Sequence, residues 1–410
     1  MRFGLIGANV AHSYSPEVHR SLGLFGYELL SLSQEQITPF FAKKNFEGIN
    51  VTIPYKETVI PYLDEVMEEA EEIGAVNTIV QKDERLIGYN TDALGLEKDF
   101  LRSGYSFAGK KALILGTGGA SKAAAYVLKK MGVSQVVFIS RSKEKSPYTY
   151  DDLSEFKDFE IVVNATPAGM YPSLDSSPCS FETFERLEFA YDFIYNPLRT
   201  KFLLEAKKKG ALIEDGLFLL YAQAYFADQL FMGKALPEDL LLKAYEKGRK
   251  QRENIVLIGM PGSGKSALGR TLAVSLSREF IDTDSLIEKK IGMSISAFFQ
   301  AKGEPEFRKI EAEVIASLRA KTSCVISAGG GAILDQRNID GFSQNGKIIY
   351  LARPVESLAL SDSRPLSPDL AHLKAQFAKR KPLYEAAADV IVENDGDFET
   401  ALIKLERICK

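Results

Sequence analysis

Four sets of residues have the types and spacing to do chemistry. The first is the loop Gly259-Met260-Pro261-Gly262-Ser263-Gly264-Lys265-Ser266, directly after the apolar run Ile255 to Ile258. In this G-x-x-x-x-G-K-S pattern, backbone N–H groups curl round phosphate oxygens. Lys265 adds positive charge toward the outer phosphates, and the Ser266 hydroxyl is placed to ligate magnesium. The second set is Asp282 and Asp284, two carboxylates spaced i, i+2 after Phe280-Ile281 and so on one side of an extended chain. One acidic group near magnesium and another near an acceptor hydroxyl is what phosphoryl transfer requires. The same carboxylates could instead cap the helix that starts at Ser285. The third set is Thr52 and Lys56, presented where a strand stops at Pro54, with Asn77 and Asp92 each deposited after a further apolar strand. The carboxyl ends of strands are where α/β sheets bind ligands. The fourth set is Ser13 and Ser15 beside Pro16, a residue suited to open a helix. Hydroxyls there can bind a carboxylate, or can simply cap that helix.

The elements that must position these groups alternate strand and helix, which makes the fold class α/β. Short apolar strands fall at residues 3–7, 48–53 and 76–81, with an amphipathic helix expected from Glu57 to Ile73. A second unit opens at Lys110 with a strand that runs into Gly116-Thr117-Gly118-Gly119-Ala120-Ser121, then a helix over Lys122 to Met131 and a strand over Gln135 to Ile139. This is a dinucleotide fold, with the pyrophosphate expected at the helix N-terminus beside Gly116, Gly118, Gly119 and Ala120. Ser121 takes the place of the third glycine. The second strand ends in Ser140-Arg141-Ser142 where an NAD enzyme would carry an acidic residue, and a guanidinium suits a 2'-phosphate, so the cofactor expected is NADP.

At 410 residues the chain is too long for one core. Its 45% hydrophobic and 26% charged residues are globular in balance, and a net charge of -4 argues against nucleic acid as the main partner. Cys179, Cys324 and Cys409 lack metal or disulfide spacing, as expected of a reducing cytoplasm. The chain enters its first strand without a leader-like apolar stretch. Its most apolar segment, Gly216 to Phe231, is interrupted by Gln223, Asp228 and Gln229 and reads as a packed helix, so no membrane partner is expected. Residues 243–254 are charged and nearly free of large apolar groups, as expected of a linker.

In order, H-S-x-S-P, N-V-T-x-P-x-K, G-A-V-N-T and G-x-N-T-D resemble shikimate dehydrogenase, and the resemblance extends to about residue 248. It implies that Ser13 and Ser15 hold the substrate carboxylate, that Lys56 and Asp92 are the catalytic pair, and that Thr52 and Asn77 contact ring hydroxyls. Tyr195 and Gln223 would reach back to the substrate. Thr166, Met170 and Gly216 would lie on the cofactor side. Asn9-Val10 departs from the family's more usual proline and isoleucine, and Ser140 and Leu219 stand where asparagine and methionine are common.

Residues 253–410 resemble shikimate kinase on the P-loop, Asp282-Thr283-Asp284, Gly303 to Glu311, Gly329-Gly330-Gly331, Arg364-Pro365-Leu366 and Lys379 to Tyr384. The resemblance implies that Asp284, Arg308, Gly330 and Arg380 hold shikimate, that Asp282 lies near magnesium, that Asp284 is the base, and that Arg364 closes over the phosphates of ATP. Residues 356–363 are shorter than is usual in the family and lack its base-covering arginine, so weakened ATP affinity is expected. The organisation implied is a two-lobed dehydrogenase followed by a P-loop kinase domain with a parallel sheet. Residues 1–103 would form the substrate domain, completed by helices in about 217–248, residues 104–216 a Rossmann-type NADP domain, and residues 253–410 the kinase. Small-molecule substrates are the partners expected. The alternative is a dehydrogenase, of shikimate or quinate and with NADP or NAD, joined to a catalytically weak kinase-like sensing module.

Overall fold

The apolar runs become the strands of three sheets in a computed structural model, which describes residues 2–358 and 370–409. Two sheets lie in a unit formed by Met1–Tyr195 and Glu205–Gly248. The third lies in a unit formed by Asn196–Leu204 and Arg249–Lys410.

In the first unit, β1 (Phe3–Gly7) lies parallel between β2 (Tyr27–Ser31) and β3 (Gly48–Val51). The short β4 (Glu65–Val66) and the antiparallel hairpin of β5 (Thr78–Lys82) and β6 (Arg85–Tyr89) complete the order β2-β1-β3-β5-β6-β4. Helices α1 (Ser15–Ser21) and α2 (Gln34–Lys43) follow β1 and β2. The helix expected over 57–73 is present only at its end, as α3 (Glu68–Ile73). Pro61 removes a backbone donor in its middle, and the chain instead pairs with β6, Asp64 N–H donating to Leu86 O and Met67 N–H to Gly88 O, each at 2.9 Å. Helix α4 (Thr91–Ser103) leaves β6.

The second sheet is wholly parallel. It contains β7 (Lys111–Leu115), β8 (Gln135–Ser140), β9 (Tyr148–Thr149), β10 (Ile161–Asn164), β11 (Phe189–Asp192) and β12 (Leu212–Asp215), in the order β12-β11-β10-β7-β8-β9. This is the doubly wound dinucleotide-binding order, with its switch point between β7 and β10. Strands β10 and β11 are buried along their whole length, as sheets covered on both faces require. Helix α5 (Gly119–Lys130) crosses from β7 to β8, and α6 (Lys201–Lys208) precedes β12.

The apolar segment after β12 is the expected packed helix, α7 (Leu217–Met232). It returns to the first sheet, where the Phe231 ring stacks on Phe3 at 5.3 Å and fills the space above Gly48. It also meets α4 so closely that a Cβ on Gly95 would lie 2.9 Å from Gln223 N. The charged run 243–254 is largely the last turns of α8 (Glu238–Arg252), because Leu241, Ala244, Tyr245 and Gly248 fall on one buried face.

The second unit holds β13 (Asn254–Ile258), β14 (Glu279–Asp282), β15 (Cys324–Ser327), β16 (Gly346–Ala352) and β17 (Val390–Glu393), all parallel in the order β14-β15-β13-β16-β17. Its helices are α9 (Lys265–Ser275), α10 (Thr283–Ile291), α11 (Ile295–Ser317), α12 (Gln336–Asn345), α13 (Leu370–Ala387) and α14 (Phe398–Cys409). Helix α11 breaks at Gly303, whose φ of 79° starts a fresh helical segment at Pro305. Among the described residues no helix is long and apolar enough to cross a membrane, and the three cysteines are buried free thiols.

Candidate active sites

In the first unit Lys56 Nζ lies 2.5 Å from Asp92 Oδ2, and both side chains are largely buried. Each is fixed by its neighbours. Tyr55 is buried, and its hydroxyl donates to Leu32 O at 2.7 Å, while Lys56 O accepts from Val76 N–H at 2.8 Å. Asp92 stands in the first turn of α4. Asn90 caps that turn by accepting from Ala93 N–H at 3.0 Å and donating to Ala75 O at 2.8 Å. Asn77 Oδ1 accepts from Thr91 N–H at 2.7 Å. The helical turn that carries Asp92 is thus held by two asparagines.

The serines do not cap α1. Its cap position is Tyr14, with no side-chain capping bond. Ser13 Oγ accepts from Ser15 N–H at 3.2 Å and donates to Ser15 Oγ at 3.0 Å, which sets the two hydroxyls side by side. The Tyr195 ring meets the Tyr14 ring edge-on at 5.9 Å. Thr52 follows β3 with its methyl against Gly7, where no side chain would fit. Gln223 Nε2 donates within its own helix to Leu220 O at 2.8 Å.

The dinucleotide turn adjoins this group. Gly116 has a φ of 110°, Gly118 is the cap of α5, and Ala120 stands in its first turn. A Cβ on Gly119 would lie 3.4 Å from Lys56 Cδ, and Lys122 pairs with Glu57 at 2.9 Å, so the start of α5 borders the Lys56 turn. Ser121 is fully buried with an unpartnered Oγ beneath Gly116, a polar atom that an apolar turn would not tolerate. Ser140 Oγ accepts from Ser142 N–H at 3.3 Å, and Ser142 Oγ from Glu144 N–H at 3.2 Å, with Arg141 exposed between them. Thr166 is tied to the buried Asn164 at 2.7 Å, Met170 is exposed, and a side chain on Gly216 would strike Phe193 O. These residues fit a dinucleotide with an extra phosphate.

In the second unit the P-loop glycines Gly259, Gly262 and Gly264 have φ of 148°, 85° and 91°. A Cβ on Gly259 would also lie 2.8 Å from Leu351 O. Lys265 is buried, with Nζ donating to Gly259 O and Met260 O, each at 2.9 Å. Ser263 Oγ is buried and unpartnered, and Asn394 Nδ2 donates to Ser263 O at 2.7 Å. Ser266 Oγ donates to Asp282 Oδ2 at 2.7 Å, so the two proposed magnesium ligands are adjacent oxygens of the kind that ion takes. Asp282 Oδ1 also accepts from Asp284 N–H at 3.1 Å and Ser285 N–H at 3.2 Å. Asp282 therefore caps α10 and faces Ser266 at once.

Asp284 is solvent-accessible yet crowded by protein. Desolvation, reinforced by Asp282, pushes its pKa above the ordinary carboxylate value against the pull of Lys265 and Arg308. The three glycines beneath it are explained by contact. A Cβ on Gly329 would collide with Asp284 Oδ1, on Gly330 with the Pro261 ring, and on Gly331 with the Arg308 guanidinium. Gly330 O accepts from Arg380 at 3.3 Å and from the Tyr384 hydroxyl at 2.5 Å. Arg308 donates to Glu311 at 2.7 Å and to Glu304 at 2.8 Å. Burial raises the Glu311 pKa while Arg308 pulls it down. Arg364 and most of the shortened lid lie outside the described residues.

Sequence reasoning gave no role to Asn90, Asn164, Glu311, Tyr384 or Asn394. Asn90, Glu311 and Tyr384 stood inside motifs already singled out, Glu311 at i+3 from Arg308, the spacing that puts two residues on one helix face.

The family model described as "Shikimate dehydrogenase substrate binding domain" matches residues 5–79, and that described as "Shikimate kinase" matches residues 261–407. A relative named shikimate dehydrogenase (NADP(+)) from Caldanaerobacter subterraneus subsp. tengcongensis is 38% identical over 271 residues, 60% of this chain and 96% of the relative. The solved shikimate dehydrogenase 1 of Peptoclostridium difficile is 34% identical with a TM-score of 0.57, over 60% of this chain and 97% of that one. The shikimate 5-dehydrogenase of Thermus thermophilus, solved with NADP(H) and shikimate, is 34% identical with a TM-score of 0.54, over 60% and 99% respectively. The chain belongs to the shikimate dehydrogenase family and carries, after that region, a domain of the shikimate kinase family.

Proposed function

We propose that the chain is a bifunctional enzyme that reduces 3-dehydroshikimate to shikimate with NADPH and then phosphorylates shikimate at its 3-hydroxyl with ATP. The observation that carries this reading is the presence of two residue sets in one chain, the Lys56–Asp92 pair beside a dinucleotide turn and the P-loop beside Asp284, Arg308 and Arg380. Bound NADPH supplies a hydride, and bound ATP with magnesium supplies a phosphoryl group. In the reduction, Ser13 and Ser15 hold the substrate carboxylate while Thr52, Asn77, Tyr195 and Gln223 orient the ring. Charge builds on the carbonyl oxygen as its carbon is reduced. Protonated Lys56 stabilises that oxygen and gives it a proton, and Asp92 keeps the ammonium in place. Gly116, Gly118, Gly119 and Ala120 take the cofactor's pyrophosphate, Arg141 with Ser140 and Ser142 its 2'-phosphate, and Thr166, Met170 and Gly216 line its other side.

In the transfer, Arg308 and Arg380 grip the carboxylate and Gly330 borders the ring. Asp284 takes the proton of the attacking hydroxyl as its oxygen bonds to phosphorus and ADP departs. Lys265 and Arg364 neutralise phosphate charge, and Ser266 with Asp282 holds magnesium. The test is the full chain with 3-dehydroshikimate, NADPH, ATP and magnesium. NADPH oxidation followed by ADP release and formation of shikimate 3-phosphate is expected. NADPH oxidation without ADP would reduce the second half to a binding module.

A further inference from the structure

We infer that His19 and Asp228 form a positioning pair that holds the substrate-carboxylate serines in register with the helix carrying Gln223. This rests on the reading of Ser13 and Ser15 given above. His19 Nδ1 lies 2.6 Å from Asp228 Oδ1, and both side chains are wholly buried. On α1, His19 is four residues after Ser15, hence on the same buried face and about 6 Å further along the axis. On α7, Asp228 is five residues after Gln223. The bond therefore ties the helix that begins with the serine clamp to the helix that bears a substrate contact.

The tie continues inward. The His19 ring stacks on Tyr27 at 3.9 Å, and the Tyr27 hydroxyl donates to Asn50 Oδ1 at 2.6 Å. Asn50 donates to Thr78 Oγ1 at 2.9 Å, which meets Thr91 Oγ1 at 2.9 Å, one residue before Asp92. Burial, and then the charge of Asp228, raise the Tyr27 pKa and keep it the neutral donor that Asn50 needs.

Stability alone gives a poor account of the pair. His19 Nε2 and Asp228 Oδ2 are buried without a hydrogen-bond partner, a cost that a well-packed apolar contact would avoid. An apolar contact, however, lets two helices slide or rotate, whereas a directional bond fixes their register.

The decisive variant is His19→Phe/Asp228→Leu in the full chain, which leaves neither polar group stranded. Its KM for shikimate in the NADP-dependent oxidation should rise about tenfold, the scale of one hydrogen bond. Turnover and KM for NADP should change less than about twofold, a split not expected of general loosening. Asp228→Asn, which keeps an acceptor for His19, should behave as the parent. In a Ser15→Ala background the double replacement should add nothing further, because it acts through that serine. An unchanged KM, an effect that multiplies that of Ser15→Ala, or a chain that fails to fold would each overturn the inference. If Ser15→Ala itself leaves KM unchanged, the reading of the serines fails as well. If Ser15→Ala raises KM and the double replacement does not, the positioning role alone falls.

Discussion

Lys56 and Lys265 are both largely buried, and the groups that accept from them differ. Lys56 meets a carboxylate at 2.5 Å, and Lys265 donates to two backbone carbonyls at 2.9 Å. The difference follows from what each reaction lacks. Reduction of a ketone needs a proton donor at a fixed place, and the Asp92 carboxylate fixes where the Lys56 nitrogen sits. Phosphoryl transfer needs positive charge to set against phosphate oxygens. The Gly259 and Met260 carbonyls hold the Lys265 ammonium at the start of the glycine loop.

Lys265→Met should break the comparison most visibly. ATP-dependent phosphorylation of shikimate should fall about 10³-fold, while NADP-dependent oxidation of shikimate stays within about twofold. A parallel fall in both rates would mean that the two sites are not energetically separate.

The next effects are about 100-fold. Lys56→Ala should cut dehydrogenase turnover by that much and spare the kinase. Near-normal turnover would remove Lys56 from the chemistry. If Lys56 and Asp92 act as a unit, Lys56→Ala/Asp92→Asn should be scarcely worse than the poorer single variant, measured as kcat/KM for shikimate. Asp284→Asn should lower the kinase rate to a similar degree and change its pH dependence. The base is active when ionised, and its pKa is raised by burial and by Asp282, so the rate should climb with pH through a midpoint above the ordinary aspartate value. That acid limb should vanish in Asp284→Asn, and its survival would assign the limb to another group.

The two regions also differ in how far the sequence announced them. The α/β class and the places of Lys56 and Lys265 were legible because they rest on local pattern: an apolar strand, a turn, then a helix. The role of Asn90 was not, since an asparagine before a threonine reads equally well as turn or cap until Ala75 is seen to accept its other end. The helix expected over 57–73 failed because amphipathic spacing does not register a single proline, and pairing of Glu65-Val66 with β6 depends on a strand about twenty residues away. The glycines at 329–331 were recognisable as a motif, but their reason is tertiary: each occupies space needed by Asp284, Pro261 or Arg308.

Arg308 sharpens the comparison by a smaller effect, because it is a cation with two carboxylate partners that are not equivalent. Glu311 is 1% exposed and lies 2.7 Å from the guanidinium, whereas Glu304 is 43% exposed at 2.8 Å. Burial works against the charge of Arg308, but the two glutamates outweigh it and hold its pKa above the usual value. A buried partner cannot be replaced by water, so Glu311→Gln should let the guanidinium shift and raise the kinase KM for shikimate about fivefold, with KM for ATP unchanged. Glu304 sits where solvent screens its charge, and Glu304→Gln should change the same KM by less than about twofold. Equal effects of the two variants would show that Arg308 responds to net charge. The expected inequality would show that one buried contact aims it at the substrate.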